Sequence, residues 1–104
     1  MKKIHQTKFD IFYEDTDSSG FTYHTSYLKF AERARSLFVR ENLKEIQNKM
    51  INNSFFFVVR DIKIRFLKPT YLFDQLEIKT YFLRNSFTSI ELKQVIFKNN
   101  IKIC

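Results

Sequence analysis

One long stretch with helical spacing constrains the fold of this chain more than any other feature. Between residues 22 and 44, apolar side chains recur every three to four positions, which is typical of a helix that buries one face. A second helical piece at residues 45–50 is short and weakly patterned. A single helix must therefore cover whatever sheet the chain forms. Its apolar stripe consists of Tyr27, Phe30, Ala31, Ala34, Leu37 and Phe38.

The remaining segments alternate between apolar and polar residues, the pattern of strands with one buried face. A short strand is predicted at residues 8–13, and three longer ones follow the helix, at residues 55–67, 76–82 and 90–96. The Asn99-Asn100 pair predicts a hairpin turn before a last strand begins. One-sided strands and a single helix predict an α+β fold, in which an antiparallel sheet wraps around the long central helix.

Length and composition predict a single domain, residues 1–104, in a cytoplasmic protein. The chain has 104 residues, and a domain usually holds roughly 100–200. Its longest apolar run, at residues 55–59, is far shorter than the roughly 20 residues of a membrane-spanning helix. The start of the chain also lacks the basic and then apolar pattern of a signal peptide.

The cysteine and histidine content argues against a disulfide within the chain and against a structural metal site. Cys104 is the only cysteine, and an internal disulfide needs two. His5 and His24 lie nineteen residues apart with no cysteine nearby, which is not the spacing of zinc ligands. We therefore expect no bound metal.

The charge of the chain allows several kinds of partner. There are 18 basic and 11 acidic residues, a net charge of +7. Such a charge suits a nucleic acid, a membrane surface or a phosphorylated small molecule. The basic residues are scattered, however, and the longest run is Lys2-Lys3, so compositional bias explains the charge more simply. No nucleic-acid recognition motif accompanies the charge, so a nucleic acid is the partner that the sequence supports least.

The most informative segment for function lies between the first strand and the helix, at residues 13–24. It contains three carboxylates, the only glycine of the chain and a histidine. A helix start carries unpaired N–H groups and partial positive charge, which stabilise the oxyanion formed in acyl transfer. A carboxylate in the preceding turn could attack a carbonyl or activate water there. The pattern alone favours a simpler interpretation, in which Asp15 or Asp17 only stabilises the turn and the helix end.

The same segment carries a resemblance to a known family. The Tyr-Glu-Asp-Thr-Asp sequence at residues 13–17, Gly20, Tyr23-His24 and the Glu-Arg-Ala-Arg sequence at residues 32–35 resemble the signature of the 4-hydroxybenzoyl-CoA thioesterase family. They are most similar to the branch of acyl-CoA thioesterases associated with the bacterial Tol-Pal system. The similarity continues into residues 57–69 and covers most of the chain.

The resemblance implies a hotdog fold, in which an antiparallel sheet surrounds one long helix. It also implies hydrolysis of the thioester of an acyl-CoA, without a metal or a redox cofactor. By this resemblance Asp17 is the catalytic carboxylate, acting either as a nucleophile or as a general base toward water. The Glu32 and Arg35 side chains belong to the signature but are three residues apart on a helix, so an ion pair explains them more simply.

The remaining site residues have alternative interpretations. The backbone N–H groups of Gly20, Tyr23 and His24 resemble the part of the family site that polarises the substrate carbonyl. The ring of His24 either helps to position Asp17, water or the thioester, or contributes only through packing. Tyr13 either lines the site or is a core aromatic at the end of the first strand.

Coenzyme A carries several phosphate charges, so a basic rim would favour its capture. The candidates cluster on and after one predicted strand, although a charged outer strand face has the same pattern without any ligand. They are Arg60, Lys63, Arg65 and Lys68.

The end of the chain bears on assembly. Members of the family continue through a complete last strand, whereas Cys104 follows the Asn99-Asn100 turn by only four residues, so we expect the last strand to be truncated. Two hypotheses follow. The chain is an acyl-CoA thioesterase that works as a homodimer or homotetramer on acyl-CoA or an acyl carrier protein, or it is a truncated, non-catalytic hotdog remnant or interaction module.

Overall fold

An antiparallel sheet of four strands packs against one face of a long helix, which confirms the predicted α+β arrangement. The computed structural model describes residues 1–104. Each strand pairs with its neighbour in the sequence, so the order across the sheet is β1-β2-β3-β4. Along the chain lie β1 (Lys2–Asp10), a 3₁₀ turn (Tyr13–Asp15), α1 (His24–Asn42), α2 (Lys44–Ile51), β2 (Gln75–Asn85), β3 (Ile90–Lys98) and β4 (Ile101–Lys102).

The apolar stripe of α1 forms the centre of the core. Tyr27, Phe30 and Ala34 are buried and follow one another at intervals of three and four residues, so they share one face of the helix. On β2, Leu76 and Ile78 alternate with more exposed neighbours and point to the same side of the sheet. Contact between these two faces removes the core side chains from water. The core cluster comprises Ile11, Tyr27, Phe30, Ala34, Leu76, Ile78, Ile96 and Ile103.

The predicted helical segments are both present. The long one begins at His24, two residues after its predicted start, and the short one is α2. Leu43 separates them because its φ of −128° and ψ of 67° are not helical. Neither helix is long and apolar enough to cross a membrane.

The first strand has different bounds from the predicted 8–13. Strand β1 pairs with β2 from Lys2↔Phe82 to Asp10↔Gln75, so it begins near the start of the chain and ends before Tyr13. Backbone pairing extends over residues whose side chains show no apolar alternation, which is why the pattern missed them. Tyr13 lies in the 3₁₀ turn with 81% of its surface exposed, so its interpretation as a core aromatic is wrong.

The prediction of a strand at residues 55–67 is also wrong, because that segment forms no β-ladder with another strand. Its backbone bonds only at the far end, where the amides of Leu67 and Lys68 donate to the carbonyl oxygen of Ile103 at 2.9 and 3.2 Å. Phe56 and Val58 are 74% and 75% exposed. Alternation predicts which residues share a face, but a strand also needs a neighbouring strand.

The Asn99-Asn100 turn is confirmed. Both residues have positive φ, 50° and 66°, and join β3 to β4. Two consecutive residues of positive φ are what a tight two-residue hairpin turn requires. Strand β4 has two residues, and beyond it the Ile103 amide donates to the Ile96 carbonyl oxygen at 2.8 Å.

The core predicts the effect of removing its central ring. Phe30→Ala should lower the free energy of unfolding by about 3–5 kcal/mol, because Phe30 is fully buried and its loss leaves a cavity. Urea unfolding followed by circular dichroism measures this change. Phe87→Ala is the matched control: Phe87 is 105% exposed, so we expect a change within about 0.5 kcal/mol. Equal losses in the two variants would contradict the assignment of Phe30 to the core.

Candidate active site

Asp17 lies in a tight loop that closes on itself just before α1. Thr16 and Thr22 form an antiparallel bridge at the base of the loop, and the Asp17 amide donates to the Phe21 carbonyl oxygen at 2.9 Å. Gly20, at φ 88°, completes the turn in a conformation that side chains disfavour. This is the conformational reason for the only glycine of the chain.

The carboxylate of Asp17 has one occupied oxygen and one free oxygen. Oδ1 accepts hydrogen bonds from the Ser19 hydroxyl, from the Ser19 amide at 2.8 Å and from the Phe21 amide at 3.2 Å. The hydroxyl of Ser19 above all, together with these amides, holds the pKa of Asp17 below its usual range. No group of the chain donates to Oδ2. Asp17 therefore presents an ionised carboxylate with one oxygen available for chemistry.

The start of α1 supplies two free backbone donors. The amides of His24 and Thr25 donate to no group of the chain, as expected for the first residues of a helix. The Tyr23 amide, in contrast, donates to the Asp15 carbonyl oxygen at 2.9 Å, and the Gly20 amide donates to that of Asp17 at 3.0 Å.

This geometry changes the predicted set of oxyanion donors. Gly20 and Tyr23 are not available as donors in this conformation, since their N–H groups already have acceptors within the chain. His24 remains available. Thr25 was missed by the sequence analysis, although the rule that the first helical amides are unpaired would have identified it once the helix start was known.

The ring of His24 packs against an aromatic side chain. It stacks on Phe66 with the ring centroids 3.8 Å apart and the planes 11° apart. Neither of its nitrogens makes a hydrogen bond within the chain. The ring of His24 therefore contributes through packing in this structure, and it makes no hydrogen bond to Asp17.

Three buried hydroxyl groups, missed by the sequence analysis, hold the base of the loop in place. The Tyr27 hydroxyl lies 2.6 Å from Thr70 Oγ1, which in turn donates to Thr22 Oγ1 at 2.8 Å. The Thr22 amide and hydroxyl both donate to the Thr70 carbonyl oxygen. Burial raises the pKa of Tyr27, so its hydroxyl stays protonated near neutral pH. These bonds connect α1, the Asp17 loop and the turn after Lys68.

Tyr13 lines an open depression beside the Asp17 loop. Phe12, Glu14 and Phe73 form the rest of its lining, and its volume is about 600 Å³. The amide and the hydroxyl of Thr16 both donate to the Tyr13 carbonyl oxygen, so this wall continues directly into the loop.

The basic candidates all lie on the exposed segment that joins no ladder, or just after it. Arg60 pairs with Asp61 at 2.9 Å, whereas the other three make no ion pair. Lys68 stands two residues before Thr70, so it is the one nearest in sequence to the hydroxyl cluster. The four are Arg60, Lys63, Arg65 and Lys68.

Glu32 and Arg35 form an ion pair, in agreement with the simpler interpretation of these two signature residues. Arg35 Nη2 lies 3.3 Å from Glu32 Oε2, and Arg35 Nη1 donates to Gln94 Oε1 at 2.8 Å. Gln94 donates in turn to the Ala31 carbonyl oxygen at 2.9 Å. Arg35 thus connects α1 to strand β3.

Comparisons with known sequences find thioesterases. The family model of the thioesterase superfamily matches residues 19–104, a range that begins just after Asp17. The acyl-CoA thioesterase YbgC of Helicobacter pylori is 45% identical over 71 residues, which are 67% of this chain and 50% of that protein. The acyl-CoA thioester hydrolase YbgC of Escherichia coli is 37% identical over 86 residues, 83% of this chain and 63% of that protein. This chain thus spans about half the length of the Helicobacter protein.

Comparisons with solved structures agree on the fold. A probable thioesterase from Bartonella henselae superposes with a TM-score of 0.84 at 32% identity, covering 95% of this chain and 82% of that one. The gentisyl-coenzyme A thioesterase BH1999 superposes with a TM-score of 0.86 at 21% identity, covering 94% of this chain and 80% of that one. At that identity the second likeness concerns the fold alone. Together they confirm the hotdog arrangement.

The hydrogen bonds of Asp17 predict a measurable effect on its titration. Ser19→Ala should raise the pKa of Asp17 toward the ordinary value, because it removes the hydroxyl that contributes most to the lowering. An NMR titration of the side-chain carboxyl carbon follows this group directly. Ser36→Ala removes a hydroxyl that donates to Glu32 instead, and it should leave Asp17 unchanged. An Asp17 pKa that is equal in the wild type and in Ser19→Ala would contradict the geometry.

Proposed function

Because the chain belongs to the thioesterase superfamily, we propose that it hydrolyses the thioester of an acyl-CoA to a free acid and coenzyme A. One observation carries the proposal: an ionised carboxylate with a free oxygen lies in the loop that leads directly into a helix start with two unpaired amides. Hydrolysis of a thioester needs two things. One is a group that either activates water or attacks the carbonyl carbon in its place, and the other is a set of hydrogen-bond donors for the oxyanion. The Helicobacter and Escherichia relatives, named for action on acyl-CoA, support the substrate class.

In the first form of the mechanism, Asp17 acts as a general base. Its Oδ2 takes a proton from water, and the water oxygen attacks the thioester carbonyl carbon. The oxyanion that forms accepts hydrogen bonds from the His24 and Thr25 amides. The C–S bond then breaks, and the sulfur of coenzyme A leaves with the proton that Asp17 had taken.

In the second form, Asp17 acts as a nucleophile. Its Oδ2 attacks the same carbon, the coenzyme A thiolate leaves, and an acyl-aspartyl anhydride remains, which water hydrolyses. The lowered pKa keeps the carboxylate ionised before either reaction begins, and both forms then use its free Oδ2. Neither form uses a metal ion or a redox cofactor, and we propose that none takes part.

The wider assignments are proposals of the same kind. We propose that the chain belongs to the Tol-Pal-associated branch of these thioesterases, because its long motif at residues 13–35 resembles the signature of that branch. A homodimer or homotetramer, an acyl carrier protein as an alternative acyl donor, and a cytoplasmic location stay predictions from the sequence.

The role of Asp17 predicts the outcome of its substitution. Asp17→Asn keeps an oxygen that can accept from Ser19 but can neither take a proton nor attack, so turnover of acyl-CoA should fall at least roughly 100-fold. Thiol release measures the rate, and circular dichroism checks the fold.

Asp10→Asn is the matched control, because it removes the same charge from an exposed position on β1. It should leave turnover unchanged. Full activity in Asp17→Asn, or an equal loss in both variants, would exclude the proposed role of Asp17.

The basic segment predicts a separate effect on substrate capture. Lys63→Glu together with Lys68→Glu should raise KM for acyl-CoA several-fold and leave kcat unchanged, since reversed charge repels the phosphates. The effect should weaken at high salt. Lys44→Glu together with Lys49→Glu makes the same charge change on α2 as a control. If KM is equal in the two double variants at low salt, the segment is only a charged exposed face.

A further inference from the structure

Thr70 is a polar residue that the fold buries completely, although it lies outside every helix and strand. A polar group withdrawn from water costs free energy unless hydrogen bonds within the protein replace those to water. The Thr70 hydroxyl contacts two other buried hydroxyls, those of Tyr27 and Thr22, which are 2% and 6% exposed. These partners lie 43 and 48 residues away in the sequence, so the cluster joins segments that only the fold brings together.

The three hydroxyl protons of this cluster can point in only one direction. Thr22 Oγ1 donates to the Thr70 carbonyl oxygen at 3.1 Å, and Thr70 Oγ1 donates to Thr22 Oγ1 at 2.8 Å. Each hydroxyl has one proton, so the Tyr27 hydroxyl, 2.6 Å away, must be the donor to Thr70 Oγ1. Hydrogen bonds in such a chain polarise and strengthen one another inside a protein. Thr70 is the middle member, so loss of its hydroxyl breaks both side-chain contacts at once.

The backbone beside Thr70 connects this cluster to the carboxylate of Asp17. The Thr22 amide donates to the Thr70 carbonyl oxygen at 2.9 Å, and the adjacent residues Phe21 and Tyr71 form an antiparallel bridge with their ring centroids 5.0 Å apart. The Phe21 amide donates to Asp17 Oδ1 at 3.2 Å, and the Phe21 carbonyl oxygen accepts from the Asp17 amide at 2.9 Å. A shift of this bridge therefore moves a group that contacts the Asp17 carboxylate directly.

The same cluster holds the start of α1. Tyr27 is the fourth residue of that helix, so it belongs to the first turn. The two residues with unpaired amides, His24 and Thr25, lie between Thr22 and Tyr27 in the sequence, and both ends of this short stretch are bonded to Thr70. One side chain thus holds both the donors available to an oxyanion and the base of the loop that precedes them.

We propose that Thr70 is a positioning residue for thioester hydrolysis: its hydroxyl fixes the Asp17 carboxylate relative to the two free amides of α1. This inference rests on the proposed function. Thr70 is buried and acts through Tyr27 and Thr22 rather than on the substrate. The carboxylate and the oxyanion donors must act on one carbonyl group, and a misplacement of about 1 Å between such groups can lower the rate roughly 100-fold. The role therefore concerns kcat and not the capture of the substrate.

The experiment measures kcat and KM for octanoyl-CoA and benzoyl-CoA in the wild type and in four variants. Thr70→Val removes the hydroxyl and keeps the shape of the side chain, whereas Thr70→Ser keeps the hydroxyl. Tyr27→Phe removes only the first donor of the chain of hydroxyls. Thr80→Val is the matched control, because Thr80 is 1% exposed and its hydroxyl oxygen accepts from Gln94 on the sheet. Urea unfolding records the stability of each variant.

We expect kcat to fall roughly tenfold or more in Thr70→Val and several-fold in Tyr27→Phe, with KM changed less than about twofold in both. Thr70→Ser should retain the kcat of the wild type, because its hydroxyl can bond to the same two partners. Thr80→Val should lower the free energy of unfolding but keep kcat. The pKa of Asp17, followed through its carboxyl carbon, should rise in Thr70→Val, because the loop then holds the hydrogen-bond donors of that carboxylate less firmly.

Two results would overturn the positioning role while leaving the proposed function intact. One is an unchanged kcat in Thr70→Val, and the other is an equal fall of kcat in Thr70→Ser or Thr80→Val, since the loss would then not follow the Thr70 hydroxyl. If Thr70→Val does not fold, Tyr27→Phe decides, and a kcat equal to that of the wild type overturns the role. Failure of the wild type to hydrolyse either thioester would instead remove the proposed function, and this role with it.

Discussion

The packing of one helix on one sheet is the constraint on which the rest of this structure depends. The chain has a single long helix, and its buried face packs in one cluster with the apolar residues of β2 and β3. That face also reaches the candidate site. Phe30 fills the centre of the core, and Tyr27, one turn earlier, carries a buried hydroxyl that bonds to Thr70. The interaction that stabilises the fold thus also fixes where the helix begins relative to the Asp17 loop.

The chemistry of the candidate site follows from how backbone donors are distributed around Asp17. Amides and a hydroxyl of the loop stabilise the charged form of its carboxylate through Oδ1, so Oδ2 is left without a partner. The Tyr23 amide orients the preceding turn through Asp15, while the next two amides of the helix stay unpaired. Donors that position the loop and donors that are free for an oxyanion are therefore different groups, although they are adjacent in sequence.

Features set by local sequence could be predicted, and features set by distant pairing could not. The α1 stripe around Phe30 and the Asn99-Asn100 turn depend on neighbours along the chain, and both were predicted correctly. The bounds of β1 and the state of residues 55–67 depend on which backbone lies alongside, which alternation does not encode. In the site, Asp17 could be chosen from its motif.

Other features of the site depend on coordinates that a pattern of residue types does not contain. The direction of the Tyr23 amide is set by the position of Asp15, and the positive φ of Phe73 is set by the turn that bonds back to Ile11. Neither signal exists in the sequence. The first of them changed the set of residues that can donate to an oxyanion.

If this chain hydrolyses a thioester with water, the new oxygen of the acid comes from water, and product analysis in ¹⁸O-labelled water detects it. The purified chain is incubated with octanoyl-CoA, and mass spectrometry follows the acid while thiol release follows coenzyme A. We expect equimolar octanoic acid and free coenzyme A, with oxygen from the labelled water in the acid. A folded chain that releases no coenzyme A, or that transfers the acyl group without forming the free acid, would contradict it.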